Sequence, residues 1–142
     1  MTKRQRALAL VSQYYADFNA GRRPEMMALL ASDVIHDINQ GGAQIGREAF
    51  IRFMLHMDEC YAEQVAELVL MADDSGTRVA AEFFILGRYL RTDKGLPEAK
   101  GQTYRLRVGA FFEVDSGEIR RVTNYYNLQD WLAQVGSAKA EA

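Results

Sequence analysis

The chain contains few of the residues that mark specialised protein classes. Of its 142 residues, two are proline and one, Cys60, is cysteine. A single cysteine rules out an internal disulfide and a metal site built from cysteines, and it fits a reducing compartment. We therefore expect a cytoplasmic protein.

The sequence also lacks a strong excess of charge and any long apolar run. Seventeen basic and nineteen acidic side chains give a formal net charge of -2, without the basic block that would neutralise phosphates or hold a membrane surface. Its uncharged apolar runs are far shorter than the ~20 residues of a spanning helix. The N-terminal segment is basic and then apolar, but polar residues interrupt it, unlike a signal peptide. We expect no nucleic-acid partner, no membrane association and no signal peptide.

What is present is typical of a globular domain, with 49% hydrophobic and 25% charged residues. Apolar residues at helical spacing predict a helix over 3–20, closed by Asn19, Ala20 and Gly21. A short second helix is predicted at Pro24, and a third helix after Gly46. The apolar face of this third helix consists of Phe50, Phe53, Met54, Met57 and Tyr61.

The remaining segments have the character of strands. A short strand is predicted over 34–38, followed by a turn over 39–42. Strand-like runs then cover 65–71, 78–90, 103–114 and 119–127, separated by turn-forming sequences. A helical turn over 128–135 ends the predicted domain, which covers residues 1–135, and residues 136–142 are predicted to form a flexible tail.

Helices followed by consecutive strands predict an α+β fold, in which N-terminal helices pack on a curved antiparallel or mixed sheet. Such a sheet forms a cone whose hollow either fills with side chains or admits a ligand. The architecture thus predicts a pocket on the concave face.

Two stretches resemble a known superfamily. YYADFNAGRRPEMMALLASDVIHD is similar to the start of ketosteroid isomerase, and GAFFEVDSGEIRRVTNYYNLQDWL resembles the last hairpin of SnoaL-like proteins. Ketosteroid isomerase and the SnoaL-like proteins both belong to the nuclear transport factor two-like superfamily. This superfamily has the cystatin-like cone fold and includes polyketide cyclases, scytalone dehydratase and limonene epoxide hydrolase. The resemblance implies a cofactor-free pocket for a small, mostly apolar molecule.

The resemblance to ketosteroid isomerase is only partial at the catalytic positions. That enzyme uses an Asp base with a Tyr and a protonated Asp as oxyanion donors. Tyr14 matches the tyrosine, but the base position holds Ile38 and the protonated-Asp position holds Ala110. Neither replacement can move a proton or donate a hydrogen bond. Steroid isomerisation is therefore not expected.

Strand alternation, tied to the same resemblance, predicts which side chains face the pocket. His36 shares parity with Ile38, so we expect His36 inside and Asp37 outside, although a slip of one residue would exchange the two. The residues predicted on the concave face of the later strands are Glu82, Phe84, Leu86, Leu106, Val108, Ala110, Phe112, Val122, Asn124 and Tyr126. Phe83, Ile85 and Phe111 are predicted on the convex face.

Glu82, His36 and Tyr14 are the candidate catalytic residues. A buried Glu82 would have the raised pKa of a general acid or base, His36 could exchange protons near neutral pH, and Tyr14 could hold an oxyanion. The alternatives remain open at this point. Glu82 could pair with an arginine or lie outward, His36 could donate to a backbone carbonyl, and the Tyr14 hydroxyl could meet a backbone group or Glu82.

Asn124 and Tyr126 are predicted to orient the ligand, with Phe84, Phe112, Ile38, Phe53 and Met57 as apolar contacts. We expect no metal site, because His36, Asp37 and His56 lack a ligand spacing, and no phosphate-binding glycine loop. His56 is expected at the surface.

Two functions follow as hypotheses. The first is an isomerase, cyclase, dehydratase or hydrolase acting on a small hydrophobic carbonyl, enol or epoxide compound. The second is a non-catalytic binding or interaction module, because one fold hosts many functions. An apolar convex face also predicts a symmetric homodimer.

Overall fold

The computed structural model of the chain describes the backbone of residues 1–140 and the side chains of residues 1–136. The elements, in chain order, are α1 (Lys3–Ala20), α2 (Arg23–Ala28), β1 (Leu30–Asp37), β2 (Ala43–Ile45), α3 (Arg47–Cys60), β3 (Tyr61–Ala72), β4 (Arg78–Tyr89), β5 (Thr103–Asp115), β6 (Glu118–Tyr126) and α4 (Leu128–Ala140). None of the helices in the described part is long and apolar enough to cross a bilayer.

The first helix has the predicted bounds, and both of its ends have a local cause. Thr2 and Gln5 form a capping box at the start of α1, which satisfies two backbone N–H groups that have no partner within the helix. Gly21 ends the helix with φ 73°, a left-handed conformation that glycine adopts without strain. The prediction of this helix is confirmed.

The strands form one mixed, open sheet in the order β2-β1-β6-β5-β4-β3. Strands β1 and β6 run parallel, and every other neighbouring pair is antiparallel. The helices pack on the concave face, where rings of α1 meet rings of β4 and β5. The predicted α+β cone is confirmed.

Some boundaries differ from those predicted. Strand β1 begins at Leu30 and β3 at Tyr61, each four residues before the predicted start, and the short strand β2 was not predicted. Helix α4 continues to Ala140, so residues 136–140 extend the helix. Residues 141–142 of the predicted tail lie outside the described part, and the flexibility of that tail stays a prediction.

A bulge in β3 changes which side chains of this edge strand face inward. Glu67 has φ 56°, and the pairing with β4 shifts between Ala66 and Val69. An extra residue reverses the alternation of a strand. Glu63 and Val65 thus face the concave side before the bulge, whereas Leu68 does so after it.

Asn19 fastens the end of α1 to this same edge strand. Its amide nitrogen donates to the Val65 carbonyl at 3.0 Å, and its amide oxygen accepts from the Val65 N–H at 2.8 Å. One side chain therefore satisfies both backbone groups of a residue on the unpaired side of β3.

Candidate functional site

A cavity of about 350 Å³ lies between the concave face of the sheet and the helices. This volume falls in the range of roughly 300–1,000 Å³ that is usual for small-molecule sites. Its walls are largely aromatic and aliphatic, and they include Phe18, Phe53, Met57, Phe83, Leu106 and Trp131. The cavity is suited to a ligand that is mostly apolar.

Tyr14 projects from α1 into this cavity. Its ring packs edge-on against Tyr15 and Phe112, while its hydroxyl has no hydrogen-bond partner among the described residues. Burial raises the pKa of Tyr14 well above its ordinary value, with the positive charge of Arg23 acting in the opposite direction. The phenol therefore stays protonated and is available as a donor to a ligand oxygen.

His36 lies inside and Asp37 outside, as the parity of β1 predicted. The His36 side chain lines the cavity, stacks on Phe50 at 4.2 Å and meets the edge of Phe53. Asp37 instead accepts hydrogen bonds from Arg121 at 2.7 Å and Thr123 at 2.6 Å.

The environment of His36 keeps its imidazole neutral. Burial lowers the pKa of His36 to about 4, although the negative charge of Asp37 opposes the shift. The ring nitrogen Nδ1 is buried without a hydrogen-bond partner in the described chain, so the structural alternative of donation to a backbone carbonyl is not found. A buried polar atom without a partner is unusual and calls for an explanation.

Glu63, on β3, supplies the carboxyl group of the cavity. Its Oε2 accepts a hydrogen bond from the Tyr104 hydroxyl at 2.5 Å. Burial raises the pKa of Glu63, the Tyr104 hydrogen bond lowers it, and the negative charge of Asp58 raises it further. The net shift is upward, toward the range in which a carboxyl group exchanges protons near neutral pH.

The position of Tyr104 depends on a glycine in the neighbouring strand. Gly87 pairs with Tyr104 across β4 and β5, and a Cβ atom at Gly87 would overlap the Tyr104 ring. The missing side chain therefore makes room for the phenol that binds Glu63.

Asn124 and Tyr126 extend into the cavity from β6. No hydrogen-bond partner exists within residues 1–136 for the Asn124 amide or the Tyr126 hydroxyl. Burial raises the pKa of Tyr126, and the negative charges of Glu63 and Asp93 add to the shift. Both groups are available to a ligand.

The other charged groups of the wall are already paired. Arg23 donates to both carboxylate oxygens of Asp58, at 2.8 and 2.9 Å. Asp93 accepts from the Tyr61 hydroxyl at 2.7 Å and contacts His56 at 2.9 Å. The cationic group of the wall is therefore neutralised, while Glu63 adds potential negative charge.

The prediction that Glu82 and Phe84 face the cavity is wrong. The Glu82 side chain is 58% exposed and lies 3.5 Å from Arg107, which is the alternative left open by the sequence. Phe84 lies on the same convex face, covered by the guanidinium group of Arg105 at 3.5 Å. Strand β4 instead directs Phe83 and Ile85 inward, opposite to the predicted parity. Leu86, which was also predicted to face the cavity, is exposed on the convex face.

The later strands have the predicted parity, with one difference in function. Phe112 faces the concave side but is only 1% exposed, because the rings of Tyr14 and Tyr15 cover it. It belongs to the core beneath the cavity and does not line it. Phe111 is exposed on the convex face, as predicted.

The two positions that differ from ketosteroid isomerase also lie on the concave side. Ile38 lines the cavity, and Ala110 is fully buried beside Asn124 in the sheet register. Met57 and Phe53 line the cavity as predicted.

Sequence reasoning missed Glu63 because the predicted strand began at Val65. A signal was present, since Tyr61, Glu63 and Val65 alternate at the period of a strand. Extending the predicted strand back from Val65 to Tyr61 would have placed the Glu63 carboxyl on the same face as Val65, a core residue.

Comparison with protein families now adds to this geometry. The family model of the SnoaL-like domain matches residues 11–122. The chain belongs to the SnoaL-like family. No curated protein matches this SnoaL-like chain at significant similarity.

Solved structures agree with this assignment. A protein from Xanthomonas campestris pv. campestris, provisionally described as a polyketide cyclase, is 55% identical with a TM-score of 0.91, covering 94% of this chain and 98% of that one. A protein from Pseudomonas putida KT2440 with the same provisional description is 54% identical with a TM-score of 0.89, covering 95% and 98%.

A more distant structure shows the shared fold alone. A Catenulispora acidiphila protein of ketosteroid isomerase-like fold is 21% identical with a TM-score of 0.72, covering 89% of the SnoaL-like chain and 92% of its own. The predicted SnoaL-like family is confirmed by the family model, and the predicted nuclear transport factor two-like fold by structures that share it.

Proposed function

We propose that this SnoaL-like protein is an enzyme of the isomerase or cyclase type that moves a proton on a small, neutral, mostly apolar carbonyl or enol compound. The observation that carries the proposal is a carboxyl group of raised pKa, Glu63, facing an apolar cavity. The provisional description of two close relatives as polyketide cyclases supports the same reaction class.

In this proposal Glu63 is the proton-transfer group. Its Oε2 is held by Tyr104, which leaves Oε1 to take a proton from a carbon next to a carbonyl group. The C–H electron pair moves into the new C=C bond, and the carbonyl π electrons move onto oxygen to give an enolate. Where the enolate is conjugated with a C=C bond, Glu63 returns the proton to a different carbon and completes an isomerisation. In a cyclisation, the enolate carbon attacks a second carbonyl group within the substrate, and Glu63 gives its proton to the alkoxide that forms.

Tyr14 and the neutral His36 are placed to stabilise the enolate oxygen. Tyr14 keeps its proton because burial raises its pKa, so it donates a hydrogen bond instead of carrying a charge. A neutral imidazole also donates through one ring nitrogen. Preorganised donors in a site that excludes water are worth several kcal/mol, or about 10²–10³ in rate for one donor.

The charges of the wall favour a neutral ligand over a free acid. Arg23, the cation of the wall, is held by both oxygens of Asp58, and Glu63 would repel a carboxylate. Because of this repulsion, we expect an aromatic methyl ester to bind at least about tenfold more tightly than the corresponding acid at pH 7. A tenfold difference in affinity corresponds to about 1.4 kcal/mol. Fluorescence of Trp131, which lines the cavity, measures both affinities, and equal affinity would contradict the expectation.

The catalytic role of Glu63 is tested by hydrogen exchange. The protein is incubated in D₂O with a panel of neutral aromatic β-keto esters and β-diketones, and deuterium at the acidic carbon is followed by NMR. Glu63→Gln should lower the enzyme-dependent exchange rate by about 10²–10⁴, the usual contribution of a general base.

Glu82→Gln is the matched control, because Glu82 has the same chemistry on the opposite face. It should exchange like the unmodified protein. A Glu63→Gln variant as active as wild type would reject the proposed role. Ligand binding without any exchange above buffer would favour the alternative, a non-catalytic binding module of the same fold.

A further inference from the structure

Three side chains of types that can bind metal ions lie close together beside the cavity. None of them takes part in the proposed reaction. His56 and Cys60 lie one turn apart on α3, and Asp93 comes from the loop after β4. Their donor atoms all lie within 4.8 Å of one another. The His56 Nε2 atom is 3.9 Å from Cys60 Sγ and 2.9 Å from Asp93 Oδ1.

The arrangement differs from a nucleophile–histidine–carboxylate relay. In a relay the two ring nitrogens of the histidine have different partners, one binding the nucleophile and the other the carboxylate. Here the same nitrogen, Nε2, faces both Cys60 and Asp93. The three potential donor atoms instead lie close to one another, as the ligands of one metal ion must.

Asp93 is held in place by tyrosines from two strands. The Tyr61 hydroxyl donates to Asp93 Oδ2, which leaves Oδ1 for the cluster. The Tyr89 hydroxyl accepts from the Asp93 N–H at 2.9 Å and donates to the Pro97 carbonyl at 2.7 Å. Hydrogen bonds that orient a ligating carboxylate are a regular feature of metal sites.

We propose that His56 Nε2, Cys60 Sγ and Asp93 Oδ1 bind a divalent ion of the Zn²⁺ type. A thiolate, an imidazole and a carboxylate suit zinc better than the hard ions Mg²⁺ and Ca²⁺, which prefer oxygen ligands. Three protein ligands leave one tetrahedral position for water or another molecule.

Binding a zinc ion requires the three ligand atoms to move closer to a tetrahedral arrangement. With bonds of about 2.3 Å to sulfur and 2.0–2.2 Å to nitrogen and oxygen, tetrahedral ligand atoms lie about 3.4–3.6 Å apart. The Cys60–His56 pair must therefore close, and the His56–Asp93 pair must open, by about half an ångström. The third pair, Cys60 and Asp93, lies within 4.8 Å and must close by as much as about 1.2 Å. His56 is 54% exposed, so its ring has room to move. Cys60 binds as the thiolate and releases its proton to solvent on coordination.

The site is new relative to the proposed function and is tested without any turnover assay. Untagged, full-length protein is stripped with a chelator and titrated with Co²⁺ and then Zn²⁺. We expect one ion per chain, a thiolate-to-cobalt charge-transfer band in the near ultraviolet, and loss of that band when Zn²⁺ displaces Co²⁺.

Substitutions assign the ligands. His56→Gln and Asp93→Asn should each weaken Zn²⁺ binding, measured by calorimetry, by about tenfold or more. Tyr61→Phe removes the hydrogen bond that orients Asp93 and should weaken Zn²⁺ binding by about 10–100-fold at most. Cys60→Ser should abolish the charge-transfer band.

Glu59→Gln serves as the control, because Glu59 is an exposed acid next to Cys60 that lies outside the cluster. It should bind Zn²⁺ like wild type. Because His56 is exposed, His56→Gln should fold even if the buried Cys60→Ser variant does not. Absence of a cobalt band, or a band and Zn²⁺ affinity unchanged in both His56→Gln and Asp93→Asn, would overturn the site.

Discussion

Burial shifts the pKa values of the groups that line the cavity. His36 is 3% exposed, and its low pKa means that the folded protein holds it neutral where an unfolded chain would protonate it. The pKa of Glu63 is raised for the same physical reason, because burial disfavours the charged form of either group. Raising the pKa of an acid and lowering the pKa of a base brings their proton affinities closer together, which is suited to proton transfer.

The low pKa of His36 makes stability depend on pH. Between its ordinary pKa of 6.5 and its folded pKa of about 4, the unfolded chain binds more protons, so unfolding becomes easier as the pH falls. We expect neutral His36 to make its full contribution to the free energy of unfolding above pH 6.5. This contribution should be lost progressively as the pH falls to about 4.

The measurement is urea unfolding at several pH values with a chelator present. His36→Phe keeps a ring beside Phe50 but cannot titrate, so its stability should fall less than that of wild type between pH 7 and about 4. Parallel pH dependence of wild type and His36→Phe would contradict the buried, neutral His36.

Among the secondary structure elements, the edge strand β3 is secured by a helix end. Its outer backbone groups at Val65 meet no further strand, and the Asn19 side chain satisfies both the N–H and the carbonyl. The same strand carries Glu63, so the attachment of α1 also positions the carboxyl group of the cavity.

Asn19→Ala should destabilise the fold by about 1–3 kcal/mol, the usual cost of leaving part-buried backbone groups without partners. Chemical denaturation measures the loss, and hydrogen exchange should show faster exchange of the Val65 amide. Gln129→Ala, at an exposed position of α4, is the control and should change stability by less than about 0.5 kcal/mol. An Asn19→Ala variant as stable as this control would show that the attachment contributes nothing.

The sequence predicts elements well where periodicity is strong and fails where two faces look alike. Helix α1 and the inward parity of β5 and β6 follow from regular spacing. Strand β4 contains the consecutive aromatics Phe83 and Phe84, so either face could be the apolar one. The choice depends on Arg105 and Arg107, whose guanidinium groups cover the outward ring, and a contact across strands is not visible in the spacing.

The candidate site was predictable to a similar extent. His36, Tyr14, Asn124 and Tyr126 reach the cavity as predicted. The cluster of His56 and Asp93 requires a loop to fold back over α3, which local pattern cannot show. The parity change at Glu67 likewise depends on a backbone conformation that sequence spacing does not encode.

At the scale of the whole molecule, the convex face of the sheet carries several exposed apolar residues. Its exposed apolar residues are Val69, Met71, Leu86, Phe111 and Tyr125. Phe111 and Tyr125 contact each other edge to face, and charges of both signs, including Glu82 and Arg107, lie on the same face. We propose that a second copy of this chain covers it, because a mixed surface of this kind can complement itself across a two-fold axis.

Sedimentation velocity tests this arrangement. Wild type should sediment as a dimer, and Phe111→Lys should shift the population toward monomer because a lysine would be buried without a partner. Leu55→Lys is the matched control, since Leu55 is an exposed apolar residue on α3, away from the sheet. A monomeric wild type, or a Phe111→Lys dimer as stable as that of Leu55→Lys, would contradict the predicted homodimer.

The absent side chain at Gly87 has a consequence for reading related sequences. Tyr104 occupies the space where a methyl group would stand, and through its hydroxyl it holds Glu63. A relative with alanine at this position would have to move the phenol away, and its carboxyl group would lose its support. The state of the cavity carboxyl group thus depends on Gly87, its direct partner in the neighbouring strand, and residue 87 serves as a marker for whether a homologue retains the same chemistry.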